Sequence, residues 1–289
     1  MERTTELLLR NYGGILGASP SPISVLGVRY YEKNYGRILQ RIPENSRILE
    51  IGPGNGSFIQ YLLYKGYKNI AACEIAGDNA LSLGRFFGNR IRIVNENAID
   101  CLGNSPDKFD LIYAAQLIEH FTYNNLVKFL EHCYTSLSEG GYIIFETINC
   151  ANVTHGLYLR YCDYTHRMGF TPRSLKQFLM AIGDFSSIEL IEIHPPGFLD
   201  CLYYAFRRIS GKSVTRKIGR SIGLDNSHYS AGSSKTHGGV RKAMSILLKS
   251  SGIRLSRRLS SFLLRSYEFE GIKVYTPFFA VVARKVQTN

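Results

Sequence analysis

Short apolar runs alternate with helical patterns from residue 47 to about residue 148. The runs are continuously apolar, as in strands covered on both faces, and the segments between them repeat apolar residues with helical spacing. The predicted strands are RILEI, NIAACE, IRIVN, FDLIYAA and GYIIFETI, the last one after a turn at Gly140 and Gly141. The predicted helices are 57–65, 78–87 and 124–137. This alternation predicts an α/β fold with a doubly wound, mostly parallel sheet.

The remaining chain extends this plan. Residues 149–169 are rich in loop signals, and Thr171 followed by Pro172 predicts a helix start, with Thr as the cap and Pro at the first position. Two further strands are predicted, SSIELIEIH and VYTPFFAVVARK, and the latter would complete a seven-stranded sheet. The predicted divisions are an N-terminal helical region 1–45, a core 46–204, a basic helical insertion or lid 205–268, and a final strand 269–289.

Composition is that of an ordinary globular protein, with 289 residues, 45% hydrophobic and 20% charged. The six cysteines form no C-x-x-C pair, and the N-terminus has no signal-peptide pattern, so we expect reduced thiols and a cytoplasmic location. No apolar run approaches the ~20 residues that a membrane-spanning helix needs. We therefore expect a protein that does not cross a membrane.

A glycine-rich turn follows the first predicted strand, with Gly52, Gly54 and Gly56 in the stretch RILEIGPGNGSF. Glycines between a strand and a helix allow a ligand to approach the backbone. Ser57 stands where the dinucleotide pattern G-x-G-x-x-G has its third glycine, which weakens a pyrophosphate-binding interpretation, and the Lys of a phosphate-binding Walker loop is absent. Glu74 follows Gly54 by about 20 residues, where nucleotide-binding sheets place a ribose-binding acid. Alone, Glu74 fits a strand cap equally well; together with the turn it favours a nucleoside ligand.

The sequence resembles the class I, Rossmann-like S-adenosylmethionine-dependent methyltransferases over residues 29–194. The motifs that carry the resemblance, in order, are LEIGPGNGSF, CE at 73–74, ENAID at 96–100, FDLIYAAQLIEHF and LSEGGYIIFETIN. The resemblance implies S-adenosyl-L-methionine as the cofactor. One departure is Asn97, where the family commonly has Asp; its amide oxygen is expected to accept from the adenine amino group instead.

The resemblance also implies roles for individual residues. The methionine part of the cofactor is expected beside Glu50 and the three glycines, the ribose at Glu74, the adenine at Asn97 and Ala98, and the sulfonium beside Gln116. Three tyrosines, Tyr30, Tyr31 and Tyr35, lie on a helix that in the family often closes the cofactor site. A helix that packs its aromatic side chains on the sheet explains them at least as well.

Two histidines are candidates for the general base that an acceptor hydroxyl requires. His166 lies in RYCDYTHRMGF, where Asp163 could orient the imidazole, and it is the first choice. His120, in LIEHF beside the sulfonium position, is the second; a structural role at a helix start has about equal weight. Asp163 and His166 could instead bind a metal ion, but no companion carboxylate cluster is visible, so no metal is expected.

The acceptor is less well defined. The order of IEHF, SEGGYIIFETIN, DYTHRMGFTPRSLKQFL and the last strand resembles methyltransferases of bacterial surface-polysaccharide biosynthesis, which implies O-methylation of a sugar or lipid-linked glycan. The alternatives are a small-molecule O-methyltransferase acting on a quinone or natural product, an RNA methyltransferase, a non-catalytic binding protein and an NAD-dependent oxidoreductase. A nucleic-acid acceptor is disfavoured because FDLIYAAQL lacks the N/D-P-P-Y/F motif and no Pro-Cys nucleophile is present.

Positive charge is concentrated in one segment. The net charge is +12, and residues 205–265 contain 14 Lys and Arg with one acid, whereas the rest of the chain has 21 basic and 22 acidic residues. Within this segment, 240–265 predicts a basic amphipathic helix, which could bind an anionic membrane surface on the inner face of the membrane. It could equally pack its apolar face on the core. Binding to nucleic-acid phosphates is the third interpretation.

Overall fold

The computed structural model of the chain describes residues 19–152, 156–193, 268–269, 272–273 and 276–288. The strands in these ranges are β1 (Arg47–Ile51), β2 (Asn69–Cys73), β3 (Arg92–Val94), β4 (Phe109–Ala115), β5 (Leu137–Ile148), β6 (Phe185–Glu192), β7 (Glu268–Phe269), β8 (Ile272–Lys273) and β9 (Phe278–Lys285). The α-helices are α1 (Val25–Leu39), α2 (Ser57–Tyr64), α3 (Gly77–Phe87), α4 (Ala98–Gly103), α5 (Tyr123–Ser136), α6 (Gly156–Tyr161) and α7 (Pro172–Ile182).

Seven strands form one sheet in the order β3-β2-β1-β4-β5-β9-β6. Strands β1 to β5 pair in parallel, and β9 lies antiparallel between β5 and β6. The order reverses at β1, so the crevice beyond the carboxyl ends of β1 and β4 is where such sheets bind ligands. The predicted α/β doubly wound fold is confirmed.

Local sequence explains why these elements form. In β1 every residue after Arg47 is buried, as expected for a strand covered on both faces. Helix α7 begins as predicted: the Thr171 side chain caps it by accepting from the Ser174 N–H, and Pro172 stands in the first turn. The helix ends at Ile182, where Gly183 lies against the ring of Tyr134.

The sheet separates two apolar clusters. One packs α1, α2 and α3 on the sheet around Tyr35, Phe58 and Phe87; the other packs α5 and α7 around Phe129 and Phe170. Each of these five rings is at most 1% exposed. Burial of such a side chain is worth about 1.5–3 kcal/mol, so both layers contribute to holding the strands whose ends form the site.

Three details differ from the sequence predictions. The predicted turn at Gly140 and Gly141 is wrong: β5 starts at Leu137 and runs through both glycines. Gly140 adopts φ +71° there, and a Cβ on Gly141 would lie 2.9 Å from the Ser138 oxygen, so the glycines allow a local irregularity where the pairing with β4 shifts register. The short helices α4 and α6 were not predicted.

Much of the basic segment lies outside the described residues. This holds for 205–267 of the predicted insertion, including the proposed amphipathic helix 240–265, and for residues 1–18 of the predicted N-terminal region. Across the ranges that the structure does describe, every helix is too short or too polar to span a bilayer. The cysteines there, Cys73, Cys101, Cys133, Cys150 and Cys162, are free thiols.

Candidate active site

The glycine turn joins β1 to α2 at the carboxyl edge of the sheet. Gly52, Gly54 and Gly56 all have positive φ, at +68°, +53° and +71°, which glycine adopts without the steric cost of a side chain. A Cβ on Gly56 would lie 2.7 Å from the Phe87 ring, so this glycine permits close packing on α3. A Cβ on Gly54 would meet nothing within 4 Å. Gly54 therefore borders open space in which a ligand can approach the backbone.

Glu50 lies in β1 just before this turn. It is 4% exposed, and its Oε2 has no hydrogen-bond partner among the described residues. Burial raises the pKa of Glu50 well above its usual range, although the Ile59 N–H opposes this, and the nearby Glu74 charge raises it further. An unpaired buried oxygen is costly, so this carboxylate is suited to a polar or cationic ligand group.

Glu74 follows β2 and is held by the start of the next helix, α3. Its Oε1 accepts from the Ala76 N–H at 2.9 Å, and its Oε2 accepts from the Asn79 side-chain amide at 2.9 Å. The same Asn79 amide donates to the Gly54 carbonyl at 2.9 Å. Burial raises the pKa of Glu74, and these hydrogen bonds oppose that rise. Asn79 thus ties the acid to the glycine turn, a role that no sequence motif indicated.

Asn97 caps the helix that follows it. Its side-chain oxygen accepts from the Ile99 and Asp100 N–H groups, both at 3.0 Å, and its amide donates to the Asp100 carboxylate. The expected contact of this oxygen with an adenine amino group stays a prediction. Ala98 is the first residue of α4 and stands at the same edge.

Gln116 leaves β4 in a strained conformation. Its φ is +52°, and among the residues that the structure describes it is the one non-glycine residue with a positive φ. Its N–H donates to the Glu146 carbonyl at 2.9 Å, and its side-chain amide lies 3.3 Å from the Glu146 Oε1. These hydrogen bonds hold the strained residue where β4 meets β5.

Glu146, near the carboxyl end of β5, is the point where α1 meets the site. Tyr30 donates to its carboxylate at 2.8 Å, and Tyr35 donates to its Oε2. Burial raises the pKa of Glu146, and the tyrosine and Gln116 hydrogen bonds oppose that rise. Tyr31 instead stacks on Tyr61. The tyrosines therefore combine core packing with contacts at the site. The sequence contained a signal for Glu146, a carboxylate in an otherwise apolar strand.

The turn Ile118–His120 brings Glu119 and His120 against the loop that follows α6. His120 Nδ1 lies 2.8 Å from Thr165 Oγ1, and that hydroxyl donates to Asp163 Oδ1 at 2.6 Å. Thr165 therefore accepts from His120 Nδ1–H, and the imidazole also makes a hydrogen bond to the Gln116 backbone. Burial, then the neighbouring His166, lowers the pKa of His120 to about 4, so the ring is neutral at physiological pH.

His166 packs against His120, with ring centroids 4.7 Å apart. Its Nδ1 lies 3.0 Å from the Leu159 carbonyl and 3.2 Å from the Arg160 carbonyl, so Nδ1 carries the proton and Nε2 the lone pair. Backbone carbonyls hold Nδ1 of this imidazole, and Asp163 accepts from Thr165, the partner of His120. The predicted pairing of Asp163 with His166 stays a prediction.

The residues described above fall into two groups, which we call the glycine-turn half and the histidine half of the candidate site. The glycine-turn half consists of Glu50, Gly52, Gly54, Gly56, Glu74 and Asn79, and the histidine half consists of Glu119, His120, Asp163, Thr165 and His166. The halves adjoin, since a Cβ on Gly52 would lie 3.3 Å from Leu117, which precedes the histidine turn. Gln116 and Glu146 lie at the base of the histidine half. Sequence reasoning missed Asn79, Glu146 and Thr165 as members of the site.

Comparison with known proteins identifies the class. A family model described as a methyltransferase domain matches residues 27–183, more than half of the chain. The chain belongs to this methyltransferase family. The prediction of an S-adenosylmethionine-dependent methyltransferase is therefore confirmed at the level of the enzyme class.

Individual relatives are more distant. Phosphoethanolamine N-methyltransferase of Plasmodium falciparum (isolate 3D7) is 26% identical over 137 residues, which are 47% of this chain and 51% of that protein. The chain thus spans about half the length of that relative.

Among solved structures, an S-adenosylmethionine-dependent methyltransferase from Archaeoglobus fulgidus aligns with a TM-score of 0.53 at 20% identity, covering 89% of this chain and 98% of that one. Haemonchus contortus phosphoethanolamine N-methyltransferase 2, in complex with S-adenosyl-L-methionine, aligns with a TM-score of 0.51 at 15% identity, covering 90% of this chain and 57% of that one. At these identities the structural likeness establishes the fold.

Proposed function

We propose that this protein transfers the methyl group of S-adenosylmethionine to an oxygen of a small-molecule acceptor, with a sugar or glycan hydroxyl as the leading candidate. The observation that carries the proposal is the pair of adjoining imidazoles, His120 at the exit of β4 and His166 on the loop after α6, near an open glycine turn. A donor site and a proton-accepting group in one crevice are what in-line transfer requires.

The glycine-turn half is suited to hold the cofactor. The open face of Gly54 leaves room for the ligand, and the unpaired Oε2 of Glu50 can accept from its ammonium group. Each Glu74 oxygen keeps a second lone pair for a ribose hydroxyl. When bound, the cofactor supplies a methyl group made electrophilic by the sulfonium. The chain's own part is to orient the two reactants and to exclude water.

The histidine half is suited to activate the acceptor. His166 is the first choice for general base, because its Nδ1–H is held by two carbonyl oxygens and its Nε2 keeps a basic lone pair. His120 is the second choice, positioned by Thr165 and Asp163. The segment that carries His166 also exposes Tyr158, Tyr161 and Tyr164, aromatic faces on which an acceptor with apolar surface can pack.

A second candidate is N-methylation of a phosphorylated amine. It is favoured by the 26% identity to a phosphoethanolamine N-methyltransferase. Such an acceptor would need no strong base, since a neutral amine already carries the lone pair that attacks the methyl group.

Association of residues 240–265 with anionic lipid is a separate proposal, and it would bring the enzyme to lipid-linked acceptors. Vesicle flotation of the intact protein at low and high salt tests it, and no flotation at low salt would exclude it.

Two measurements test the function. Calorimetric titration with S-adenosylhomocysteine and, separately, with NAD identifies the cofactor; binding of NAD alone would overturn the proposal. Transfer of a labelled methyl group from S-adenosylmethionine is then assayed on nucleotide-linked sugars, simple glycans, phenolic compounds and phosphoethanolamine. Labelled O-methyl products support the leading candidate, whereas product from phosphoethanolamine alone selects the second.

A further inference from the structure

Three metal-binding side chains converge in the histidine half. Glu119, His120 and His166 each offer one ligand atom, and these atoms all lie within 4.8 Å of one another. Tetrahedral ligands of one transition-metal ion, each about 2.1 Å from it, lie about 3.4 Å apart. Side-chain rotation that draws the three atoms together by up to about 1.4 Å would place them on one ion.

An independent observation points to a missing ligand at the same place. Glu119 is 1% exposed, and its Oε1 accepts no hydrogen bond from another described residue. The other oxygen, Oε2, accepts from the Thr147 hydroxyl at 2.9 Å, so the carboxylate is fixed with its unpaired oxygen turned away from Thr147. A buried carboxylate oxygen without a donor costs free energy that a cation would recover.

The groups around the cluster are those that metal ligands use. The other nitrogen of His166 is held by two carbonyl oxygens, and that of His120 by Thr165, which in turn is held by Asp163. In metal sites, an imidazole ligand commonly donates its second N–H to a carbonyl or to a similar acceptor, which fixes its orientation. In His166 the lone pair is therefore left on Nε2.

We propose that Glu119, His120 and His166 bind one divalent transition-metal ion, which holds the oxygen of the methyl acceptor. Two imidazoles and one carboxylate favour ions such as Mn²⁺, Fe²⁺, Co²⁺ or Zn²⁺ over Ca²⁺ and Mg²⁺, which prefer oxygen ligands. Three protein ligands leave coordination positions open for an acceptor. The sequence did not indicate this set of ligands, because Asp163 is the acid near His166 along the chain, whereas the fold brings His166 to Glu119 and His120.

The role of the ion rests on the proposed function and deepens it: with the ion bound, the histidines activate the acceptor as metal ligands, and without it His166 acts as the general base of that proposal. A bound hydroxyl is more acidic, so its proton passes to water. The oxygen then forms the new O–C bond as the C–S bond breaks, and the electron pair of that bond returns to sulfur. An amine acceptor gains nothing from this arrangement, so the inference favours oxygen.

Metal binding is tested directly on tag-free full-length protein treated with a chelator. Co²⁺ is titrated and followed by its visible absorption, and Mn²⁺ by electron paramagnetic resonance, on the wild type and on Glu119→Gln and His166→Asn. The matched control is His132→Asn, because His132 also directs Nδ1 to a backbone carbonyl, at 3.0 Å from Ile99, but lies outside the cluster.

We expect one ion per chain, with affinity reduced in both variants by more than the ~10- to 100-fold that loss of a group supporting a ligand costs, and unchanged in the control. Absence of binding by the wild type, or equal binding by all four proteins, would overturn the inference. Titration with S-adenosylhomocysteine runs in parallel. Cofactor binding without metal binding rejects only the metal site, and metal binding without cofactor binding rejects only the proposed function.

Discussion

The two halves of the site satisfy their polar groups in different ways. In the glycine-turn half, Glu74 is held by residues two and five positions further along the chain. In the histidine half, hydrogen bonds join residues 28 and 45 positions apart, Glu119 to Thr147 and His120 to Thr165. The first half is built by two successive strand–helix units, β1–α2 and β2–α3, whereas the second depends on how the loop after α6 docks on the β4 exit. Each half should accordingly be separable from the other by mutation.

The largest effect is expected from breaking the histidine half alone. His166→Ala should lower turnover by about 10²- to 10⁴-fold, the usual contribution of a positioned acid–base group. Affinity for S-adenosylhomocysteine should stay unchanged, because His166 does not belong to the glycine-turn half. The measurements are steady-state turnover on the identified acceptor and calorimetry. His132→Ala serves as control, and normal turnover of His166→Ala would refute the role of this histidine.

The glycine-turn half is broken by Gly54→Arg. Because Gly54 faces open space, the new side chain should occupy the ligand's place and weaken S-adenosylhomocysteine binding at least about 100-fold, or about 2.7 kcal/mol. Gly88→Arg is the control, since a Cβ on Gly88 also meets nothing within 4 Å and its φ is +57°. Both variants should lose about 1–3 kcal/mol of stability from the positive φ, and Gly88→Arg should lose more because its ψ of −139° lies in a region that glycine alone adopts readily. Equal cofactor affinity in the two variants would contradict the assignment.

A milder change sharpens the role of Glu74. Glu74→Gln removes a charged acceptor, which is typically worth about 1.5–3 kcal/mol and predicts a roughly 10- to 100-fold loss of cofactor affinity. The exposed neighbour Asp78, changed to Asn, should bind as the wild type does. The check is calorimetry with S-adenosylhomocysteine. If Glu74→Gln binds normally, the acid only caps the end of β2.

The smallest effect concerns stability without cofactor. Burial raises the pKa of Glu50 in the folded protein, so proton binding by this carboxyl stabilises the fold relative to the unfolded chain. This stabilisation is fully present below the unfolded pKa of about 4.3 and is lost as the pH rises through the folded pKa. Glu50→Gln should therefore stabilise the cofactor-free protein by about 1–2 kcal/mol at neutral pH, and by less at acidic pH. Urea unfolding at both pH values measures this. A variant less stable than the wild type at neutral pH would show that the charge is already compensated.

The same contrast explains what the sequence could predict. Continuous apolar runs such as RILEI and FDLIYAA gave the strands of the sheet, and the pattern Thr171-Pro172 gave the start of α7, because these signals are local. Helix α4 was missed because its cap, Asn97, was interpreted only as a ligand contact. In the histidine half the residue types were recognised, but the neighbour of His166 was not, since His166 meets His120 only when the loop after α6 docks on the β4 exit.

The position of β9 between β5 and β6 has a consequence for biosynthesis. About 85 residues separate the end of β6 from β9, although the two strands pair directly. At ribosomal rates of about 5–20 residues per second, the nascent chain carries β5 and β6 for several seconds before β9 can pair with either. During that interval two strand edges lack their partner, and exposed edges promote association between chains. The enzyme's yield in a cell should therefore depend on translation speed and chaperone supply more than its folded stability suggests.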